Sequence, residues 1–155
     1  MDITDLLSAD SVVSHLKATG KKQALQELAV IAARTVGRED REIFDILLER
    51  ERLGTTGVGH GIAIPHGKLK ELDRLHGVFA RLERPIDFDA IDDEPVDLVF
   101  VLLAPETAGA DHLKALARVS RLLRDTSVCE KIRGCDSRDA IYAVLTEQMA
   151  TSHAA

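Results

Sequence analysis

The segment that most constrains the fold is residues 96–103, which are apolar at every position except Asp97. A strand that is apolar on both of its sides has to be covered on both faces, so we expect it at the centre of a β-sheet. Its longest uninterrupted apolar part, residues 98–104, is far too short to cross a bilayer. The chain is therefore expected to fold around this strand rather than to enter a membrane.

The rest of the chain alternates between helical and extended patterns. Apolar residues at helical spacing, short β-type runs and capping residues define the other elements. The predicted strands cover residues 11–16, at a sheet edge, 62–64, 76–82 and 96–103, and the predicted helices cover 21–36, 39–52, 111–124, 128–133 and 137–146. The resulting order, β-α-α-β-β-β-α-α-α, predicts an α/β protein built as a three-layer sandwich.

Length and charge limit the class of protein. A chain of 155 residues with 45% hydrophobic residues is the size of one domain with a substantial core, which we place at 1–148 with a frayed C-terminal tail at 149–155. The net charge of -6 argues against general binding of nucleic acid or of an anionic membrane surface. Because the first five residues lack a basic signal-peptide start, we expect a cytoplasmic location.

The two cysteines, Cys129 and Cys135, do not define a site. Their spacing fits neither a zinc ligand set nor a disulfide framework for a core of this size. Both are therefore predicted to be free thiols, and no metal is expected.

A glycine-rich segment ending in a histidine is the strongest functional pattern: Gly57-Val-Gly-His-Gly-Ile-Ala-Ile-Pro-His66-Gly-Lys68. Pro65 fixes its own backbone angle and favours an extended Ile64, while Gly67 leaves room for a bulky group beside the ring. The pattern predicts that His66 is held rigidly in an open position. The alternative is a surface histidine after an ordinary tight loop.

The preceding helix end supplies groups that suit an oxyanion. Arg50, Arg52, Thr55 and Thr56 lead directly into the glycine loop. A guanidinium group binds phosphate oxygens in a bidentate fashion, and hydroxyl groups can bind the remaining lone pairs. The alternative interpretation is a solvated helix end.

A second histidine, His112, is placed in the first turn of the helix that follows the apolar strand. Helix N-termini offer unpaired amide donors and a partial positive charge, so a histidine there tends to stay neutral and an anion nearby is stabilised. The two imidazoles could therefore share one anion. The alternative is an ordinary helix start capped by Asp111.

The stretch from position 50 to position 68 resembles the active-site segment of the fructose/mannitol-type enzyme IIA family, the phosphocarrier domains of the bacterial phosphotransferase system. Within that family it is most similar to the nitrogen-regulatory branch, enzyme IIA-Ntr. The similarity continues through Phe88-Asp-Ala-Ile-Asp92 and Val96-Asp-Leu-Val-Phe100 to Asp111-His112-Leu113, and it covers nearly the whole chain. The resemblance implies that the sheet is mixed.

The resemblance also implies roles for individual residues. It makes His66 the phosphoryl acceptor, through Nε2, with the other ring nitrogen oriented by a backbone carbonyl. It makes His112 the second active-site histidine, Arg52 the cationic neighbour and Thr56 the hydroxyl beside it. A direct role for His60 is not implied, and neither a cofactor nor a metal is needed for the transfer.

The implied partners are an HPr-like phosphocarrier protein and, in trans, either regulatory proteins or an enzyme IIB. Three alternatives stay open: a sugar-specific enzyme IIA component, a docking module that never carries phosphate, and a metal hydrolase that uses His60, His66 and His112. The last lacks a close His-x-x-x-His or carboxylate ligand set.

Overall fold

The structure is a computed structural model that describes residues 3–154, with side chains described over residues 4–147. Two single-turn 3-10 helices, Ile3–Asp5 and Ala9–Ser11, precede the first strand. The strands are β1 (Val12–Leu16), β2 (Gly57–Gly59), β3 (Ile62–Ala63), β4 (His66–Leu69), β5 (His76–Ile86) and β6 (Val96–Pro105). The helices are α1 (Lys21–Val36), α2 (Asp40–Leu53), α3 (Ala110–Arg124), α4 (Thr126–Arg133) and α5 (Arg138–Ala154).

The six strands form one mixed sheet in the order β1-β5-β6-β3-β2, with β4 also paired to β6. The central strand β6 is antiparallel to β5 and parallel to β3 and β4. Strand β1 lies at an edge and pairs in parallel with β5. The predicted central position of residues 96–103 and the predicted edge strand are both confirmed.

Side chains of β6 alternate between two hydrophobic cores, which is why the whole strand is apolar. Val99, Val101 and Leu103 pack with α1 and α2, whereas Leu98 and Phe100 pack with α3, α4 and α5. Helices therefore cover both faces of the sheet, and the predicted three-layer α/β sandwich is confirmed.

The described sheet has two more strands than predicted. One of them arises because the segment around Pro65 forms two strands, β3 and β4, instead of one. Ile62 pairs with Leu98 and His66 with Leu102, so β3 and β4 follow the same line along β6. Proline has no amide hydrogen to donate to the ladder, which separates the two strands. His66 consequently begins a strand, whereas the sequence pattern placed it after the end of one. The β2 strand was also missed, since its glycines favour loops.

Helix α3 begins one residue before its predicted start, at Ala110, with Gly109 as its N-cap. The Asp111 cap of the alternative interpretation is therefore not formed, and Asp111 lies inside the first turn. Ser137, directly before α5, caps that helix, because its hydroxyl accepts the amide hydrogen of Ala140 at 3.2 Å. The expected tail at 149–155 lies outside the residues whose side chains are described and stays a prediction. Among the described residues, no helix has the length and hydropathy needed to span a bilayer.

Candidate active site

His66 is held at the start of β4 by its own neighbouring backbone. Its Nδ1 lies 2.9 Å from the carbonyl oxygen of Ile64. A carbonyl oxygen can only accept a hydrogen bond, so Nδ1 carries the proton and Nε2 is the ring nitrogen with a lone pair that can accept. Pro65, whose carbonyl accepts the Leu102 amide at 3.0 Å, fixes the backbone between these two groups. The geometry therefore leaves one ring nitrogen, Nε2, unprotonated and able to act as a nucleophile.

The cationic neighbour of that nitrogen is Arg50, in the last turn of α2. Its Nε donates to His66 Nε2 across 3.3 Å, and its Nη1 donates to the carbonyl of Gly54 at 2.8 Å. The side chain is thus fixed between the imidazole and the end of its own helix. The family resemblance implied Arg52 instead, but Arg52 is exposed and is not among the residues that line the surface hollow beside His66.

Helical geometry explains why Arg50 and not Arg52 meets the imidazole. Ile46, Arg50 and Leu53 are spaced i, i+4 and i+7 along α2, and all three line the same hollow. Such spacing defines one face of a helix, whereas Arg52, two residues beyond Arg50, projects about 200° away from it. Applying this periodicity to the sequence would have selected Arg50.

His112 completes the pair of imidazoles. Its ring centroid lies 5.6 Å from that of His66, with the planes at 68° in an edge-to-face arrangement. The residue is only 6% exposed, and its Nε2 is buried without a hydrogen-bond partner in the described part of the chain. Buried polar atoms are normally paired, so an unpaired ring nitrogen beside a nucleophile is typical of a group that acts on a bound species.

Both histidines favour the neutral state. Burial is the main cause that lowers the pKa of His66, and the charge of Arg50 lowers it further, against an opposing hydrogen bond to Ile64. Burial is also the main cause that lowers the pKa of His112, followed by the charges of His66 and Lys68. Near neutral pH, His66 therefore keeps the unprotonated Nε2 that a nucleophile requires.

The two histidines open onto a surface hollow of about 440 Å³. One of its lining residues, Leu53, is an apolar side chain that is 83% exposed. Exposed apolar residues around a polar centre are typical of a surface that contacts another protein. The lining residues are Ile46, Glu49, Arg50, Leu53, His66, Gly67, Lys68 and His112.

Gly67 lines the hollow, but its role differs from the one expected. A Cβ at this position would lie 2.4 Å from Cγ2 of Ile46, so the missing side chain lets α2 pack closely against β4. The sequence argument assigned the free space to an incoming group beside the ring. The structure assigns it to the contact that brings Arg50 and His66 together.

Thr56 is placed away from the hollow. It is buried, its amide donates to Glu51 Oε2 at 2.9 Å, and its hydroxyl donates to Glu51 Oε1. Its hydroxyl therefore donates to the Glu51 carboxylate and is not directed at a phosphoryl group in the hollow. Glu51 is buried as well and was missed in the sequence, where it stands inside a charged run.

His60 occupies the turn between β2 and β3, with a positive φ of 57°. Its amide donates to Asp92 and its carbonyl accepts from Arg133, which fixes the turn at both ends. The described histidines, cysteines and carboxylates include no group of three that could hold a metal ion. His60 therefore does not join His66 and His112 in one ligand set.

Sequence comparison places the chain in a defined class. The family described as the phosphoenolpyruvate-dependent sugar phosphotransferase system, EIIA 2, matches residues 5–148. The chain belongs to this type 2 enzyme IIA family.

Individual relatives include nitrogen regulatory proteins and a fructose-specific component. A nitrogen regulatory protein of Bradyrhizobium diazoefficiens is 57% identical over 98% of this chain and 99% of that protein. The crystal structure of nitrogen regulatory protein IIA-Ntr from Neisseria meningitidis has a TM-score of 0.88 at 33% identity, covering 93% of this chain and 99% of that one. A fructose-specific EIIA component of Haloferax volcanii is 39% identical over 95% of this chain and 98% of that protein.

Proposed function

We propose that the protein is a phosphocarrier that accepts a phosphoryl group on Nε2 of His66 from an HPr-like protein. The observation that carries this proposal is the hydrogen bond from Nδ1 to the Ile64 carbonyl, which leaves Nε2 unprotonated, with its lone pair accepting a 3.3 Å hydrogen bond from Arg50 Nε. Membership of a phosphotransferase-system family supports the same reaction class. Onward transfer goes to a partner in trans.

The proposed step is an in-line displacement between two imidazoles. Nε2 of His66, released from the hydrogen bond that it accepts from Arg50, attacks the phosphorus atom of the donor phosphohistidine, and the donor's N–P bond breaks as the new one forms. The electron pair of the broken bond stays on the donor imidazole. The guanidinium of Arg50 and the ring of His112 are placed to stabilise the charge on the phosphoryl oxygens, so catalysis consists of positioning and electrostatics. No metal or cofactor takes part.

The partner surface includes the exposed leucine Leu53. Its position at the hollow suits a partner whose phosphohistidine is surrounded by apolar residues. Phosphorylation adds negative charge at the centre of this surface, so the free and phosphorylated forms would select different partners. The nitrogen-regulatory relatives favour regulatory proteins as those partners. A cytoplasmic location is part of the proposal.

Incubation with phosphoenolpyruvate, enzyme I and an HPr-type carrier, followed by intact-mass measurement, tests the acceptor. We expect one acid-labile phosphoryl group on the native protein and none on the His66→Ala variant. His76→Ala is the matched control, because His76 is also half-buried at the start of a strand but does not line the hollow. Absence of an adduct on the native protein would leave the docking-only module as the function.

A sugar-specific enzyme IIA component is the second candidate, favoured by the similarity to the fructose-specific component of Haloferax volcanii. Mixing the phosphorylated protein with fructose- and mannitol-type enzymes IIB distinguishes the two. Rapid transfer to an enzyme IIB supports the sugar-specific role. A phosphorylated protein that keeps its phosphate in the presence of both supports the regulatory one.

A further inference from the structure

A buried carboxylate is linked to the proposed acceptor through hydrogen-bonded neighbours. Glu51, in the last turn of α2, is 6% exposed and binds three groups. Its Oε2 accepts from the Thr56 amide at 2.9 Å and from Lys21 Nζ at 3.0 Å, and its Oε1 accepts from the Thr56 hydroxyl. Burying a charge is costly unless it is paired and hydrogen-bonded, so a fully satisfied carboxylate here fixes the groups around it.

One line of contacts leads from this carboxylate to the proton-bearing nitrogen of His66. Glu51 accepts hydrogen bonds from the amide and the hydroxyl of Thr56. The Thr56 carbonyl in turn accepts the Ile64 amide hydrogen at 2.9 Å. The carbonyl of Ile64 is the group that binds Nδ1 of His66 at 2.9 Å. The position of that carbonyl, and with it the tautomer of His66, is set through Thr56.

A second line leads to the other ring nitrogen. Arg50 precedes Glu51 in the same helical turn, and the Gly54 amide donates to the Glu51 carbonyl at 3.2 Å. Arg50 in turn donates to the Gly54 carbonyl and to His66 Nε2. Fixing Glu51 therefore fixes the helix end from which the guanidinium reaches the imidazole.

Lys21 connects this cluster to α1 and to the loop before β6. Burial alone lowers the pKa of Lys21, but its hydrogen bonds to Glu51 and Asp89 and their charges outweigh that effect and raise it. Its Nζ lies 3.0 Å from the carboxylates of both residues and 5.1 Å from the centre of the Phe88 ring. The ion pair with Lys21 holds the Glu51 carboxylate in place.

We propose that Glu51 is a positioning residue for His66. Glu51 acts on the imidazole tautomer through Thr56, and on the position of Arg50 through the end of α2. The consequence for phosphoryl transfer depends on the function proposed above, whereas the consequence for the tautomer does not. Glu51 does not touch the reacting atoms. The effect of Glu51 is to keep the imidazole proton on Nδ1, so that Nε2 stays unprotonated.

The test combines imidazole nitrogen NMR with transfer rates in Glu51→Gln, which has nearly the shape of glutamate without its charge. We expect the native protein to show one tautomer, protonated at Nδ1, and the variant to show a mixture together with a transfer rate lower by at least about tenfold. Glu27→Gln, which removes an exposed carboxylate from α1 and changes the net charge equally, is the matched control.

Thr56 provides an independent arm if Glu51→Gln does not fold. Thr56→Val removes the hydroxyl at nearly constant shape and should give the mixed tautomer, whereas Thr56→Ser should keep the native one. Folded Glu51→Gln or Thr56→Val protein with the native tautomer and the native rate would overturn the proposal. If the native protein takes up no phosphate, the proposed function fails, but the tautomer comparison still decides the role of Glu51.

Discussion

The contact between Gly67 and Ile46 provides the sharpest structural test of the site. In Gly67→Ala the new Cβ would lie 2.4 Å from Cγ2 of Ile46, where carbon atoms normally pack about 3.5–4.0 Å apart. That methyl is attached to a β-branched carbon and is held in a narrow range of χ1 on a helix, so it cannot simply swing aside. Helix α2 and strand β4 must therefore separate by about 1 Å.

This displacement has two measurable costs. Overpacking of this kind costs about 1–3 kcal/mol of the free energy of unfolding. Because α2 carries Arg50 and β4 carries His66, the same shift lengthens their 3.3 Å contact. A displacement of about 1 Å at a reacting centre can slow a reaction about 100-fold. We therefore expect Gly67→Ala to lose both stability and transfer rate.

Urea unfolding of a double-mutant cycle separates the clash from other effects. Ile46→Ala removes the opposing methyl, so the double variant should be more stable than the sum of the single changes predicts, by about 1–3 kcal/mol. Gly20→Ala is the control, because a Cβ there meets nothing within 4 Å. Strictly additive free energies, or a Gly67→Ala protein with native stability and native rate, would refute the reasoning.

Three other predictions concern the residues around the hollow. Arg50→Gln should slow phosphoryl transfer by about 10- to 100-fold, the worth of one charge-assisted hydrogen bond, and Arg52→Gln should not; equal losses in single-turnover assays would return Arg52 to the mechanism. Because the folded-state pKa values of His66 and His112 are lowered, their contribution to stability is complete above about pH 6.5 and is lost as the pH falls through the folded values. Urea unfolding against pH should show this loss and should show less of it in His66→Gln; an unchanged slope would argue against the lowered pKa. Leu53→Glu should raise the KM for the HPr-type donor without changing stability, and a native KM would remove Leu53 from the docking surface.

The sequence could predict the layers of the fold and the two histidines for physical reasons that act locally. The apolar segment around β6 requires cover on both faces, and Pro65 restricts the backbone on either side of itself. His112 follows a strand and opens an amphipathic helix, so its place in a first turn needs only local patterns. These features depend on neighbours within a few positions along the chain.

Other features could not be predicted because they depend on distant contacts. The role of Gly67 requires the position of Ile46, 21 positions earlier in the sequence. The engagement of Thr56 with Glu51 requires the burial of a carboxylate that stands in a charged run, where exposure is the usual outcome. Arg50 is an intermediate case, since helical spacing from Ile46 would have selected it over Arg52.

The most direct measurement of the central claim is NMR of the phosphorylated protein with nitrogen-15-labelled histidine, because it reports which ring nitrogen carries the phosphorus. The account predicts one phosphohistidine, at Nε2 of His66, with Nδ1 still bonded to the Ile64 carbonyl. A phosphoryl group on Nδ1 of His66, or on any other residue, would contradict it.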